Sequence, residues 1–263
     1  MKLYELWVPL KDRVPLVASL PHSGSYVPPD MIRRFDADPR PALVPLDWHL
    51  EKLYDFLPEL GVTVIRATHS RYVVNLNRYL KEPLFGPERS SVVPENTCFG
   101  RPLFARPPSR EEIRRRLDNY YTPYHRELTR IIEKTVRDFG RAYLVDLHSY
   151  YRGPEVDICL GDVGGTTCSG RFTGIFEDAY LRNGFLVVRN DLWVGGYITR
   201  HYGSLDNVEA LQIELRFPAY LEGKNTFEED EVPGFDSDKF RETGSRVRRV
   251  FASVVRELFA TSS

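Results

Sequence analysis

The sequence predicts an α/β fold: a single domain over residues 1–263 with a mixed, mostly parallel sheet flanked by helices. Three observations predict it. Short apolar runs alternate with longer amphipathic stretches along the whole chain. One run, Ala142 to Leu147 (AYLVDL), is so apolar that it fits a strand covered on both faces. Polar clusters follow or interrupt these runs where the loops of an open α/β sheet converge. With 263 residues, of which 42% are hydrophobic, the chain holds enough apolar side chains for one large core.

The elements follow in order. Val14 to Leu20 reads as the first strand and ends in Pro21-His22-Ser23-Gly24. Asp47 to Leu60 (DWHLEKLYDFLPEL) carries Leu50, Leu53, Tyr54 and Leu57 at helical spacing, and Gly61 follows as a C′ residue would. Val62 to Ala67 supplies a strand, and Arg71 to Arg78 (RYVVNLNR) looks extended. If that stretch is a regular strand, Arg71, Val73, Asn75 and Asn77 share one side. A Pro-rich and Arg-rich segment from Lys81 to Pro108 follows, and a connection so long usually serves function or motion. Ser109 to Asp138 is the strongest helical stretch: Ser109 and Glu112 make a capping box, and Pro123 should kink or divide it. The run to Leu147 delivers His148-Ser149 at its carboxyl end. Further strands are predicted at Val156 to Leu160, Phe185 to Val188 and Val208 to Leu215, and a terminal amphipathic helix over Phe240 to Leu258.

Composition excludes several classes of function. Lys plus Arg is 36 and Asp plus Glu 37, a formal net charge of −1, so no global field recruits nucleic acid or acidic membrane. Three cysteines, Cys98, Cys159 and Cys168, are an odd number without CxxC spacing; they indicate neither a disulfide framework nor a thiolate zinc cage and fit a reducing cytoplasm. Charges at Glu5, Lys11, Asp12 and Arg13 leave the first twenty residues without a signal sequence or membrane span.

Three ionisable groups stand within or just after apolar runs: His22, His148 and Glu214. Buried charge is costly unless paired or bound to a metal. Two histidines with a carboxylate such as Asp47 would make a mononuclear nitrogen-and-oxygen site with an open position, the pattern of catalytic zinc. Glu214 would be the general base for the activated water, and Asp146 a partner behind a ligand. Against this, a lone histidine at a strand end is more often a hydrogen-bonded structural residue, and no HExxH-type motif fixes the ligands. Arg71, Asn77 and Arg78, with the glycine-bracketed loop Gly195 to Gly203 that contains Gly196, Tyr197 and Arg200, suggest a site for a small acid, although arginines also form plain surface ion pairs. His69 and His125 are assigned to structure, and Cys168 has no clear histidine partner.

The ordered segments PHSGSYVP, DWHLEKLYDF, SRYVVNLNR, LVDLHSY, GGYITRHYG and LQIEL resemble the N-formylglutamate amidohydrolase family over about Pro21 to Arg216. The resemblance implies a zinc-carboxypeptidase-like fold, related also to aspartoacylase, and one Zn2+ per chain or another divalent metal. His22 and His148 would be ligands, with Asp47 as the carboxylate ligand and His49 its rival. It implies Glu214 as base and proton shuttle, Arg71 as the oxyanion-stabilising arginine, and Asn77 with Arg78 as the carboxylate-gripping pair. The implied activity is zinc-dependent hydrolysis of N-formyl-L-glutamate to formate and glutamate in histidine degradation. The same residues leave open hydrolysis of another N-acyl amino acid or peptide, or a non-catalytic acid-binding protein. Two departures from the family pattern are Asn75 in place of the usual Asp, which removes a negative charge beside the arginines, and Pro45-Leu46 in place of acidic and polar residues before DWH.

Overall fold

A computed structural model describes residues 2–10, 12–35, 47–81, 83–151, 155–222 and 234–259. Pro45-Leu46 lies outside the described residues. Nine strands occur among them: β1 (Tyr4–Trp7), β2 (Leu16–Leu20), β3 (Thr63–Ala67), β4 (Phe85–Gly86), β5 (Val93–Pro94), β6 (Ala142–Tyr150), β7 (Ile158–Gly161), β8 (Val187–Arg189) and β9 (Val208–Arg216). Seven form one mixed sheet in the order β1-β3-β2-β6-β9-β7-β8. β3, β2, β6 and β9 run parallel at its centre. β1 joins antiparallel to β3, and β7 antiparallel to β9.

The central strands carry apolar side chains towards both faces, as buried parallel strands do. In β2, Leu16, Ala18 and Leu20 enter one core and Val17 the other. In β6, Tyr143, Val145 and Leu147 face the first core and Ala142 and Leu144 the second. The helices among the described residues are α1 (Pro29–Ile32), α2 (Leu50–Leu53), α3 (Arg110–Arg116), α4 (Thr122–Phe139), α5 (Gly170–Arg182), α6 (Tyr197–Tyr202), α7 (Phe217–Tyr220) and α8 (Asp238–Phe259). α5 and α8 cover the first face through Phe172, Phe176, Val247 and Phe251; α4 and α6 cover the second through Leu128, Ile132, Ile198 and Tyr202. No helix among the described residues is long and apolar enough to cross a membrane.

Several elements differ from the sequence expectation for identifiable reasons. DWHLEKLYDFLPEL is not one helix: α2 is followed by a separate 3₁₀ turn at Leu57–Leu60. His49, at φ 58°, holds a left-handed conformation that no helix propagates, and Pro58 has no N–H to continue an α-helical ladder. The apolar reading of this stretch survives, because Leu50, Leu53, Tyr54 and Leu57 are all buried. RYVVNLNR is not a strand. It turns at residues 71–73, and every residue from Tyr72 to Asn77 is buried, so alternation cannot assign its faces. The stretch after Gly196, read as a loop, is the helix α6. The long helix has Ser109 Oγ accepting from Glu112 N–H at 3.2 Å, as expected of the cap. Its Glu112 carboxylate, however, pairs with Arg34 and Arg116 instead of reaching back. The division expected at Pro123 is a π-helical turn over Leu117–Tyr121 directly before α4.

Candidate active site

The site begins with register. β6 and β9 pair so that Asp146 lies opposite Gln212 and His148 opposite Glu214. Side chains two apart on a strand share a face. These four polar groups therefore form one patch on the second face, at the carboxyl end of the parallel strands. His148 lies inside its strand rather than beyond it, since β6 runs on to Tyr150, and Glu214 lies within β9 as the apolar run predicts. β2 delivers His22 to the same end, where Gly24 must be glycine because a Cβ would sit 2.3 Å from the Thr68 carbonyl carbon.

His22, Asp47 and His148 converge, with their candidate ligand atoms within 4.8 Å of one another and all three residues buried. Asp47 Oδ2 lies 3.0 Å from His148 Nδ1 and 3.5 Å from His22 Nδ1. The outward nitrogens are occupied by buried oxygens. His22 Nε2–H donates to Asn75 Oδ1 at 2.9 Å, and His148 Nε2–H to Asp146 Oδ2 at 2.8 Å. Each ring is thus oriented with Nδ1 towards the cluster, the arrangement that metal-binding histidines show. His22 Nδ1 is buried without a hydrogen-bond partner. Such an orphan is rare in a folded protein, and here it points at a carboxylate and a second imidazole. The donor set therefore fits a divalent cation with nitrogen and oxygen ligands. Asp47, not His49, enters the cluster; the His49 ring packs against Phe235 at 4.9 Å.

Charge in this corner is strongly organised. Burial lowers His22 to about 4, with positive Arg71 adding to the effect, despite the nearby Asp47. His148 is the opposite case: burial disfavours its charge, but Asp146 and Asp47 on its two nitrogens raise it well above the ordinary histidine value. Burial acts to raise Asp47, and the two histidines outweigh it and hold the carboxyl far below the usual range. Without a cation, a proton on His148 Nδ1 supplies the charge that Asp47 requires. Burial pushes Glu214 up to about 8, with Asp47 and Asp146 adding repulsion and His148 opposing.

A second wall of the cavity comes from irregular chain. Arg71, Arg78 and Glu88 line a cavity of about 420 Å³ together with the three clustered residues and Glu214. Arg71 makes an ion pair with Glu88, whose Oε1 is also 3.6 Å from Arg78 Nη2. Asn77 is held inside: its Nδ2 donates to Asp146 Oδ2 at 3.1 Å and its Oδ1 accepts from Ile198 N–H at 2.8 Å. Gly196 lies so close to Asn77 that a Cβ would be 2.4 Å from Asn77 Nδ2. Gly196 lines the cavity, whereas Tyr197 and Arg200 stand back from it: Tyr197 packs on Tyr79, and Arg200 Nε donates to Gly195 O at 3.0 Å. His125 is structural in contacts, bridging Tyr202 Oη and Leu76 O, and Cys168 pairs with Thr173.

Sequence reasoning missed Glu88 and Gln212. Gln212 Nε2 donates to Glu214 Oε1 at 3.0 Å, and its Oε1 accepts from Gly196 N–H at 2.7 Å, so it ties the glycine turn to the acid. Strand parity would have found it, one alternation before Glu214. Glu88 had no such signal, being one acid in an aperiodic segment.

A mixed seven-stranded sheet with a buried His-Asp-His cluster at the carboxyl end of its parallel strands defines an α/β protein with a candidate divalent-cation site at a small-molecule cavity. Comparison makes the assignment narrower. The N-formylglutamate amidohydrolase family model matches residues 14–221, and the chain belongs to that family. It is 33% identical to N-formylglutamate deformylase of Pseudomonas aeruginosa over 95% of this chain and 97% of that one. It is 34% identical to N-formylglutamate deformylase of Pseudomonas putida over 82% of this chain and 85% of the relative. The crystal structure of N-formylglutamate amidohydrolase from Ralstonia eutropha JMP134 superposes with a TM-score of 0.81 at 26% identity, covering 97% of this chain and 96% of that one.

Proposed function

We propose that the chain hydrolyses the C–N amide bond of N-formyl-L-glutamate, releasing formate and L-glutamate, with one divalent cation, zinc in the first instance. His22 Nδ1, His148 Nδ1 and Asp47 would hold it. The observation that carries this reading is the convergence of these three buried groups within 4.8 Å, one of them an orphaned imidazole nitrogen. When bound, such a cation supplies Lewis acidity and brings the pKa of a water close to neutrality.

Glu214 takes the proton from the water as its oxygen bonds to the formyl carbon. Burial raises the proton affinity of Glu214, which lets it hold that proton until the C–N bond breaks and then deliver it to the departing amine. Arg71 offers positive charge to the carbonyl oxygen as negative charge develops there. Arg78 pairs with a substrate carboxylate, and planar guanidinium suits that task. Asn77, Gln212 and Gly196 fix the floor on which these groups stand, and Tyr197 and Arg200 brace the Gly196 turn. Arg71 and Arg78 in the cavity wall support a small acidic partner, the net charge of −1 offers no field for nucleic acid or membrane, and three cysteines without CxxC spacing fit a reducing cytoplasm. The step fits histidine breakdown.

The test is formate release from N-formyl-L-glutamate, with N-acetyl and N-succinyl amino acids as controls. Glu214→Gln should lower kcat by about two to four orders of magnitude, the contribution of a positioned proton-transfer group. Near-normal kcat in that variant with metal bound would overturn the mechanism.

A further inference from the structure

We propose that Glu88 is a positioning residue that fixes the separation of Arg71 and Arg78 and thereby selects the length of the substrate between its carboxylate and its scissile amide. The inference rests on the roles given above to the two arginines and adds one that neither supplies alone.

The observations concern one carboxylate between two guanidinium groups. Glu88 is 6% exposed and lines the same cavity as both arginines. Its Oε1 accepts from Arg71 Nη2 and lies 3.6 Å from Arg78 Nη2, so a single oxygen joins the pair. Arg78 is held at two further points, donating from Nε to the Glu88 carbonyl oxygen at 3.3 Å and from Nη1 to Asn77 O at 3.1 Å. Arg71 donates through Nη2 alone among the described residues, and its Nε is buried without a partner. The Arg71 guanidinium therefore takes its place from Glu88. Glu88 in turn is set by backbone: its N–H donates to Asn96 Oδ1 at 3.4 Å, and the turn behind it closes with Ser90 and Ser91 N–H on Pro87 O, both at 3.0 Å.

Two like charges side by side in a buried wall repel, and the effect is visible: burial and the neighbouring Arg71 lower Arg78 to about 10. Both arginines hold Glu88 below the usual carboxylate range despite its burial. The bridge permits the pair to stand together, and it also sets their spacing. One guanidinium faces the carbonyl end of a bound substrate and the other its acid end. A rigid spacing then rewards one number of bonds between those ends and penalises a chain one methylene shorter.

The experiment compares zinc-loaded wild type, Glu88→Gln and Glu88→Asp in kcat/KM for N-formyl-L-glutamate against N-formyl-L-aspartate. Binding of L-glutamate and L-aspartate by calorimetry gives a readout independent of turnover. Glu88→Gln keeps the size and loses the charge; Glu88→Asp keeps the charge and shortens the reach, and serves as judge if the first variant does not fold. The preference for the longer acid should shrink in both by about tenfold to a hundredfold, the effect of a misplacement of about 1 Å. A preference unchanged within threefold, with only a lower Tm, makes Glu88 an ordinary structural ion pair and overturns the proposal. A preference that rises would make Glu88 a competitor for the arginines and also overturns it. Wild type that neither releases formate nor binds glutamate removes the functional reading first; wild type that does both, beside variants of unaltered preference, removes Glu88 alone.

Discussion

The two walls of the cavity are built on different principles. The His22–Asp47–His148 corner stands on the sheet, where register places His148 opposite Glu214 and Asp146 opposite Gln212. The Arg71–Glu88–Arg78 wall stands on chain without regular secondary structure, and a charge network holds it instead of a ladder. The corner has hydrogen-bonded oxygens behind both rings, whereas Arg71 depends on one carboxylate. Chemistry that tolerates little displacement is on the rigid element, and recognition, which differs among substrates, is on the irregular one.

The contrast can be broken at either wall. The largest effect is expected at the corner: Asp146→Ala leaves the buried His148 Nε2–H without its acceptor and should weaken metal affinity by up to about a hundredfold, measured by competition with a chelator. An affinity unchanged by that substitution would mean that the sheet does not orient the ring. At the other wall, Arg78→Ala should raise KM for N-formyl-L-glutamate by about tenfold to fiftyfold, the worth of a lost charge-assisted contact, and raise it far less for neutral formamides. Equal losses on both substrates would deny the wall its role in recognition.

The smallest effect is on stability. His69 and His125 are both buried, and burial lowers each to about 4. Both are neutral in the fold, while an unfolded chain protonates them near the ordinary value of about 6.5. Their contribution is fully present above that value and is lost as pH falls from about 6.5 towards 4, because the unfolded state binds more protons there. His69→Gln and His125→Gln should each lessen the loss of Tm, or enlarge its gain, between pH 7 and pH 5 relative to wild type. A pH dependence of Tm that both variants leave unchanged would contradict this.

The same contrast governs what the sequence discloses. Strands buried on both faces announce themselves as apolar runs, so β2, β6 and β9 were legible to within three residues, and with them His22, His148 and Glu214. Asp47 was legible as a carboxylate beside DWHL, although the helix expected to begin there is only Leu50–Leu53. The arginine wall was not legible in the same way. RYVVNLNR has the composition of a strand, but packing on all sides and the turn at residues 71–73 cancel the parity argument. Arg71 and Arg78 meet because Glu88, ten residues beyond Arg78 in a Pro-rich segment, lies between them, and no periodicity encodes that contact. Asn75 was visible only as a departure from the family pattern; the fold shows its amide oxygen accepting from His22.

The central claim is that residues from three separate parts of the chain hold one cation. Metal content of the purified protein, measured for wild type and for His148→Ala at equal protein concentration, tests it most directly. The account predicts one divalent ion per wild-type chain and close to none in the variant. A wild-type protein that releases formate at full rate with no bound metal, or a variant that retains its full complement, would contradict it.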